Sequence, residues 1–141
     1  MFSVRRLAAQ FFSVTGQAKI YSAGTMSAGN ISCEELKKLQ ECGTAQVFDV
    51  RNPEEVERGK IPGAVNIPVA EFEKAFQLDP EIFEKTYKVQ KPREEAENFV
   101  VHCQMGRRGA QAAQIAASLG YKRVRNLTGG YKEWAEMEGA H

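Results

Sequence analysis

The run Phe99-Val100-Val101-His102 is apolar over nearly its whole length, and it ends in Cys103. A strand that is apolar on both of its faces is covered by helices on both sides, which is the situation of a central strand in a parallel sheet. The loop Gln104-Met105-Gly106-Arg107-Arg108 follows, and Ala110 to Leu119 then reads as a helix. In that helix Ala112, Ile115, Ala116 and Leu119 recur at i, i+3, i+4 and i+7, an apolar stripe whose alanines allow close packing on a sheet. Strand, short loop and helix in this order commit the chain to an α/β architecture with right-handed crossovers. In open sheets of that kind the ligand site lies at the carboxyl ends of the strands, where Cys103 falls.

The rest of the chain supplies alternating elements of the same kind. Ser32-Cys33-Glu34-Glu35 is a capping box, with Ile31 and Leu36 placed as a hydrophobic staple. The helix it opens runs from 33 to about 42, turns Leu36 and Leu39 inward, and closes at Gly43. Ala45 to Val50 reads as a buried strand. Asn52 is the N-cap of a short helix with Pro53 in its first turn. Ile61-Pro62-Gly63 is a turn and Ala64 to Asn66 a short strand. Val69 to Phe76 is expected to be helical, and so is a segment opened by Asp79-Pro80 and reaching about Val89, with Ile82 and Phe83 as core candidates. Residues 90–98 are charged and expected on the surface. Val124 to Leu127 is the next strand, and Gly129-Gly130 turns into a last helix with Tyr131 and Trp134 on one side. The expected fold is a single α/β domain, a parallel sheet with helices on both faces.

Cys103 stands where a thiolate is stabilised: at a strand end, facing the start of a helix whose unpaired N–H groups and dipole favour negative charge. Arg107 and Arg108 add positive charge, and all three effects make a nucleophile available at neutral pH. Two cations in a first helical turn oppose the dipole, a placement that makes sense if an anion sits there. Cysteine-dependent phosphatases use His-Cys, five residues, then Arg; here that arginine would fall at Gly109. Four residues after Cys103 come before Arg108 instead, and the smaller ring suits one extra sulfur atom better than a phosphate. His102 alternates to the opposite face from Cys103 and is expected to be a hydrogen-bonded core histidine. Cys33 and Cys42 flank a helix and are expected to be packing residues. Asp49 ends a strand in an apolar setting and needs a partner, which Arg51 or another arginine can supply, so a structural role is expected. Tyr131 and Trp134 are expected in the core.

Cys-x4-Arg on a strand–loop–helix resembles the active-site pattern of the rhodanese sulfurtransferases. Asp49-Val50-Arg51 with Glu55 resembles that family's Asp-x-Arg element. Residues 59–68, Gly-Lys-Ile-Pro-Gly-Ala-Val-Asn-Ile-Pro, resemble its Gly-His-Ile-Pro-Gly-Ala-x-Asn-Ile-Pro stretch, with Lys60 where the histidine is usual. Leu127-Thr128-Gly129-Gly130-Tyr131-Lys132-Glu133-Trp134 resembles its closing element. Together these motifs span residues 31–138, and the Cys-Gln-Met-Gly loop with the long segment at 76–98 is most similar to the small single-domain thiosulfate sulfurtransferases that use glutathione.

The resemblance implies a rhodanese-like domain in which Cys103 is the catalytic nucleophile. Gln104, Met105, Gly106, Arg107 and Arg108 form the substrate-binding loop, and Asp49 and Arg51 give structural support. It implies transfer of sulfane sulfur from thiosulfate, through a Cys103 persulfide, to a thiol acceptor such as glutathione or reduced thioredoxin, with cyanide as a test acceptor. No metal and no organic cofactor are implied. A persulfide carrier or regulatory module of low turnover is the alternative, and a phosphatase or arsenate reductase a more distant one.

With 141 residues, one domain is expected. A net charge of +1 gives no reason to expect nucleic acid or membrane as a partner, and no apolar run approaches the roughly 20 residues of a membrane span. Three irregularly spaced cysteines argue against a disulfide scaffold and fit a reducing compartment. Residues 1–33 carry Arg5, Arg6 and Lys19 but no acid. That pattern makes residues 1–30 a mitochondrial transit peptide or a disordered N-terminal segment ahead of a domain at 31–141, with residues 22–30 as a flexible junction. The matrix is the expected location; a start at Met26 would yield a cytoplasmic form. A monomer is expected.

Overall fold

The computed structural model describes residues 29–139. Along the chain these form β1 (Gly29–Ile31), α1 (Cys33–Glu41), β2 (Gln46–Asp49), α2 (Pro53–Glu57), β3 (Val65–Asn66), α3 (Val69–Ala75), α4 (Pro80–Tyr87), β4 (Phe99–His102), α5 (Arg107–Ser118), β5 (Arg125–Leu127) and α6 (Gly130–Gly139). The five strands make one sheet in the order β1-β5-β4-β2-β3. Every pairing is parallel. The central strand is β4, and all four of its residues are buried, as its two-sided apolar character requires.

Side-chain alternation divides the core in two. Phe48, Phe99 and Val101 face one layer, where α3, α4 and α5 contribute Phe72, Phe76, Phe83, Ala112 and Ala116. The rings interlock: Phe48 meets Phe99 edge-on at 5.5 Å between centroids, and Phe72 stacks on Phe76 at 4.5 Å. Pairs of this kind add about 1 kcal/mol each to the gain from burial. Val47, Val100 and Leu127 face the other layer, where α1 and α6 supply Leu36 and Trp134. Helices thus cover both faces, as expected.

Local signals hold well. The Ser32 hydroxyl accepts the Glu35 N–H at 3.1 Å, and Glu35 Oε1 accepts the Ser32 N–H at 3.0 Å, completing the capping box. Gly43, at φ +75°, follows the end of α1, and Gly120, at φ +107°, follows the end of α5. Pro53 occupies the first turn of α2.

Several expectations need correction. Helix α5 begins at Arg107 rather than Ala110, because Gly106 takes the N-cap position at φ +102° and its carbonyl accepts the Ala110 N–H at 2.9 Å. Its buried residues are Gly109, Ala112, Ala113, Ala116 and Ala117, so Ile115 and Leu119 lie only at the margin of the stripe. In α4, Phe83 is fully buried but Ile82 is 49% exposed. Neighbours on a helix point roughly 100° apart, so one narrow contact face cannot hold both. That helix stops at Tyr87, where Lys88 turns left-handed at φ +67°. Cys42 is exposed, not a packing residue. Residues 29 and 30 of the expected junction belong to β1, whose Gly29 N–H donates to the Val124 carbonyl at 3.1 Å. Composition does not reveal an edge strand in which only Ile31 is buried and backbone pairing holds Gly29 and Asn30. The transit-peptide reading falls outside the described residues, apart from Gly29 and Asn30.

Candidate active site

The register sets the carboxyl ends of β2, β4 and β5 side by side, with Asp49 opposite His102 and Val101 opposite Asn126. Cys103 leaves the end of β4 and is 1% exposed. Its Sγ accepts the Gly106 N–H at 3.1 Å. The loop is shaped largely by what holds its carbonyls. The Cys103 carbonyl accepts the Tyr131 N–H at 2.8 Å and the Gln104 carbonyl accepts the Lys132 N–H at 3.0 Å. The Gly106 carbonyl accepts from Ala110 N at 2.9 Å and from Asn126 Nδ2 at 3.1 Å. In a planar trans peptide the N–H lies opposite its carbonyl. Pinning these carbonyls therefore turns the N–H groups of Gln104, Met105 and Arg107 away from their partners, and the loop offers donors rather than acceptors to the side of the Cys103 sulfur.

The start of α6 is thus spent on the loop, which explains the double glycine before it. Gly130 has φ +65°, and a Cβ there would run into the Gln104 carbonyl. Only glycine lets the two backbones meet at that angle.

Beneath the loop lies a buried ion pair. Arg51 Nη2 donates to Asp49 Oδ2 at 2.8 Å and Arg51 Nε to Oδ1 at 3.0 Å, with both side chains about 2% exposed or less. The same guanidinium reaches the Gly59 carbonyl at 2.8 Å and Gln104 Oε1 at 3.1 Å, and it stacks over the Tyr131 ring at 4.4 Å. Burying such a pair is tolerable only when its remaining donors are satisfied, which these contacts do. One arginine therefore ties together β2, the Gly59 turn, the cysteine loop and α6. Asn66 Nδ2 donates to the carbonyls of Asp49 and Arg51, both at 2.9 Å, and fixes that corner.

The two loop arginines differ. Arg108 is held by Glu55, Nη1 to Oε1 at 2.7 Å and Nη2 to Oε2 at 2.9 Å. That donation holds the Glu55 carboxyl down at about 2. Glu55 Oε1 also accepts the Asn52 N–H at 3.0 Å, so the short helix α2 serves to aim this acid at the loop. Arg107 is exposed and, among the described residues, has no ion-pair partner. Met105 beside it is 70% exposed. Arg108, the arginine of the Cys-x4-Arg spacing, is thus paired with an acid far off in sequence, while Arg107 stands at the surface.

His102 is fully buried, with Nδ1 3.2 Å from the Cys103 carbonyl and Nε2 3.6 Å from Asp49 Oδ2. Burial pushes its pKa below the usual histidine value, as suits a neutral core histidine. Lys60, in place of the histidine usual in the resembled motif, donates to the Ala64 carbonyl at 3.2 Å and closes that turn itself. Trp134 lies in the core, whereas Tyr131 is half-buried against Arg51. Asn126 is the residue that the sequence reading passed over. Its signal was a polar side chain inside the strand read from Val124 to Leu127.

A family model described as a rhodanese-like domain matches residues 32–137. Human thiosulfate:glutathione sulfurtransferase is 50% identical over 111 residues, which are 79% of this chain and 96% of that protein. The mitochondrial thiosulfate sulfurtransferase RDL2 of Saccharomyces cerevisiae is 35% identical over 94 residues, 67% of this chain and 62% of that protein. The solved structure of the human single-domain sulfurtransferase TSTD1 superposes with a TM-score of 0.73 at 50% identity, covering 76% of this chain and 95% of that one.

Proposed function

The chain belongs to the rhodanese-like domain family, and from that premise we propose that it is a thiosulfate sulfurtransferase working through a persulfide on Cys103. The observation that carries the reading is the sulfur of Cys103, buried and met by the Gly106 N–H at 3.1 Å in a loop whose carbonyls are tied back. The Cys103 thiolate attacks the outer sulfur of thiosulfate, a new S–S bond forms, and the old one breaks with its electron pair leaving on sulfite. The N–H groups of the loop solvate the negative charge of the persulfide as an oxyanion hole does. The thiolate of an acceptor, glutathione or a reduced thioredoxin, then attacks the outer sulfur and returns Cys103 to its thiolate. A covalent intermediate of this kind gives ping-pong kinetics.

Arg107, exposed at the mouth, attracts the dianionic donor, while Arg108 supplies field from a position fixed by Glu55. Asp49 and Arg51 hold Gln104, and through it the loop. A monomer is the proposed working unit. A mitochondrial location is supported by the acid-free, arginine-bearing N-terminal segment and by the mitochondrial relative, with Met26 offering a cytoplasmic form.

Intact mass tests the reading. Reduced protein treated with thiosulfate is expected to gain one sulfur atom, the gain is expected to disappear on adding glutathione, and Cys103→Ser is expected to gain none. A stable gain that glutathione leaves in place would mean a sulfur carrier instead, and uptake by Cys103→Ser would sink the assignment of the cysteine.

A further inference from the structure

Asn126 sits in β5 beside Val101 of β4 on one side and Asn30 of β1 on the other, and it is 5% exposed. Val124, two residues before it, and Leu127, next after it, are fully buried and apolar. A carboxamide in such a place has four hydrogen-bonding sites to satisfy. Here Nδ2 donates to the Gly106 carbonyl at 3.1 Å, while Oδ1 has no hydrogen-bond partner among the described residues. The chain also makes room for it: a Cβ on Gly109 would collide with Asn126 Oδ1, so the first turn of α5 carries a glycine where the side chain of Asn126 passes. An apolar residue at 126 would avoid both the unmatched oxygen and the need for that glycine. What it would not supply is the bond to the loop.

We propose that Asn126 is a positioning residue for the sulfur-transfer site: by holding the Gly106 carbonyl it fixes the 106–107 peptide, so that the Arg107 N–H joins the Gly106 N–H on the side of the Cys103 sulfur. The peptide is planar, and its carbonyl is anchored by two donors, Ala110 N at 2.9 Å and Asn126 Nδ2. The Ala110 bond alone is the first bond of a helix end, where fraying is easiest. Asn126 is the donor that comes from the sheet, so it ties the frayable end to the most rigid part of the fold. Asn126 does not itself touch the sulfur; it acts through the Gly106 peptide. The inference rests on Cys103 being the working cysteine.

The test reads the cysteine rather than sulfur transfer, so that its failure and the failure of the sulfurtransferase reading stay separate. Alkylation of Cys103 by iodoacetamide is followed against pH, with the site assigned by peptide mass, in a Cys42→Ser background. Asn126→Leu, close in shape but without a donor, is expected to react about tenfold more slowly at pH 7, with its pH midpoint moved upward. That is less than the roughly hundredfold or more lost with a direct donor. In sulfur transfer the same variant lowers kcat and leaves KM for thiosulfate near its original value. Val124→Ala, buried nearby but without a polar bond, is expected to lower Tm and leave the alkylation profile in place. Should Asn126→Leu fail to fold, Asn126→Ser, too short to reach Gly106, is read by the same profile. A folded Asn126 variant with the parent's alkylation profile would overturn the proposal, as would a Val124→Ala variant that shifts the profile equally.

Discussion

Two buried cysteines lie at the starts of two helices, and the fold treats them in opposite ways. Cys33 opens α1 and is 3% exposed; Cys103 lies just ahead of α5 and is 1% exposed. A helix N-terminus favours a thiolate in general, yet burial, followed by the charge and hydrogen bond of Glu133, pushes the Cys33 thiol up to about 12. The caps account for part of the contrast. In α1 the Ser32 hydroxyl takes the Glu35 N–H, and Glu34 and Glu35 fill the first turn. In α5 the cap is Gly106, which has no side chain to take up the donors, and Arg107 and Arg108 follow. The sulfur at Cys103 takes a backbone donor that a serine cap would compete for. At Cys33 the helix donors are already used and the first turn is acidic, whereas at Cys103 a backbone donor is left for the sulfur.

The largest effect expected from this contrast is in turnover. Cys103→Ser should lower thiosulfate sulfurtransferase activity by about three orders of magnitude or more, while Cys33→Ser should stay near the parent value. Comparable losses in a folded Cys33→Ser protein would break the asymmetry between the two sites.

Alkaline stability comes next. A thiol whose pKa is higher folded than unfolded contributes stability that is intact below the unfolded value of 9.0 and is lost as pH rises toward 12. The parent should lose about 1–3 kcal/mol between pH 9 and 11 from this source, and Cys33→Ala should show a flatter decline in Tm over the same window. Parallel curves for the two proteins would mean that Cys33 is not held neutral.

The smallest effect concerns the charge beside Cys103. Glu55→Gln releases Arg108 from a carboxylate while keeping its size. KM for thiosulfate should fall about threefold at low ionic strength, and the difference should fade as salt rises through the range where the Debye length shrinks to about 8 Å. An unchanged KM at low salt would show that Arg108 lies out of the donor's reach.

The alternation of elements, the central strand ending in Cys103 and the helix after it were legible because each depends on residues close in sequence. The cap at Ser32 needs Glu35 three positions on, and the end of α1 needs a glycine next to its last turn. The misplaced features share a cause. Ile82 and Phe83 are equally apolar, and only the packing of α4 decides which one turns inward. Edge strand β1 has little apolar pattern, because it buries only Ile31 and is otherwise joined to the fold by pairing with β5. Around the candidate site, the strand–loop–helix junction at Cys103 was readable, but not who neutralises whom.

That last division marks what the amino-acid sequence by itself determined about this protein. It specified a cysteine at a strand end, a helix behind it, and an acid, Asp49, two residues from an arginine able to pair with it. Spacing of this kind acts within a turn or two of backbone, so it needs no knowledge of the whole. Only the tertiary structure decided that Glu55 would claim Arg108 rather than Arg107, that Arg51 would reach Gln104, and that Asn126 would brace Gly106. Each of these bonds joins groups from elements far apart in sequence, and a hydrogen bond fades within an ångström of its best length. It exists only once the sheet's register has set those ends side by side.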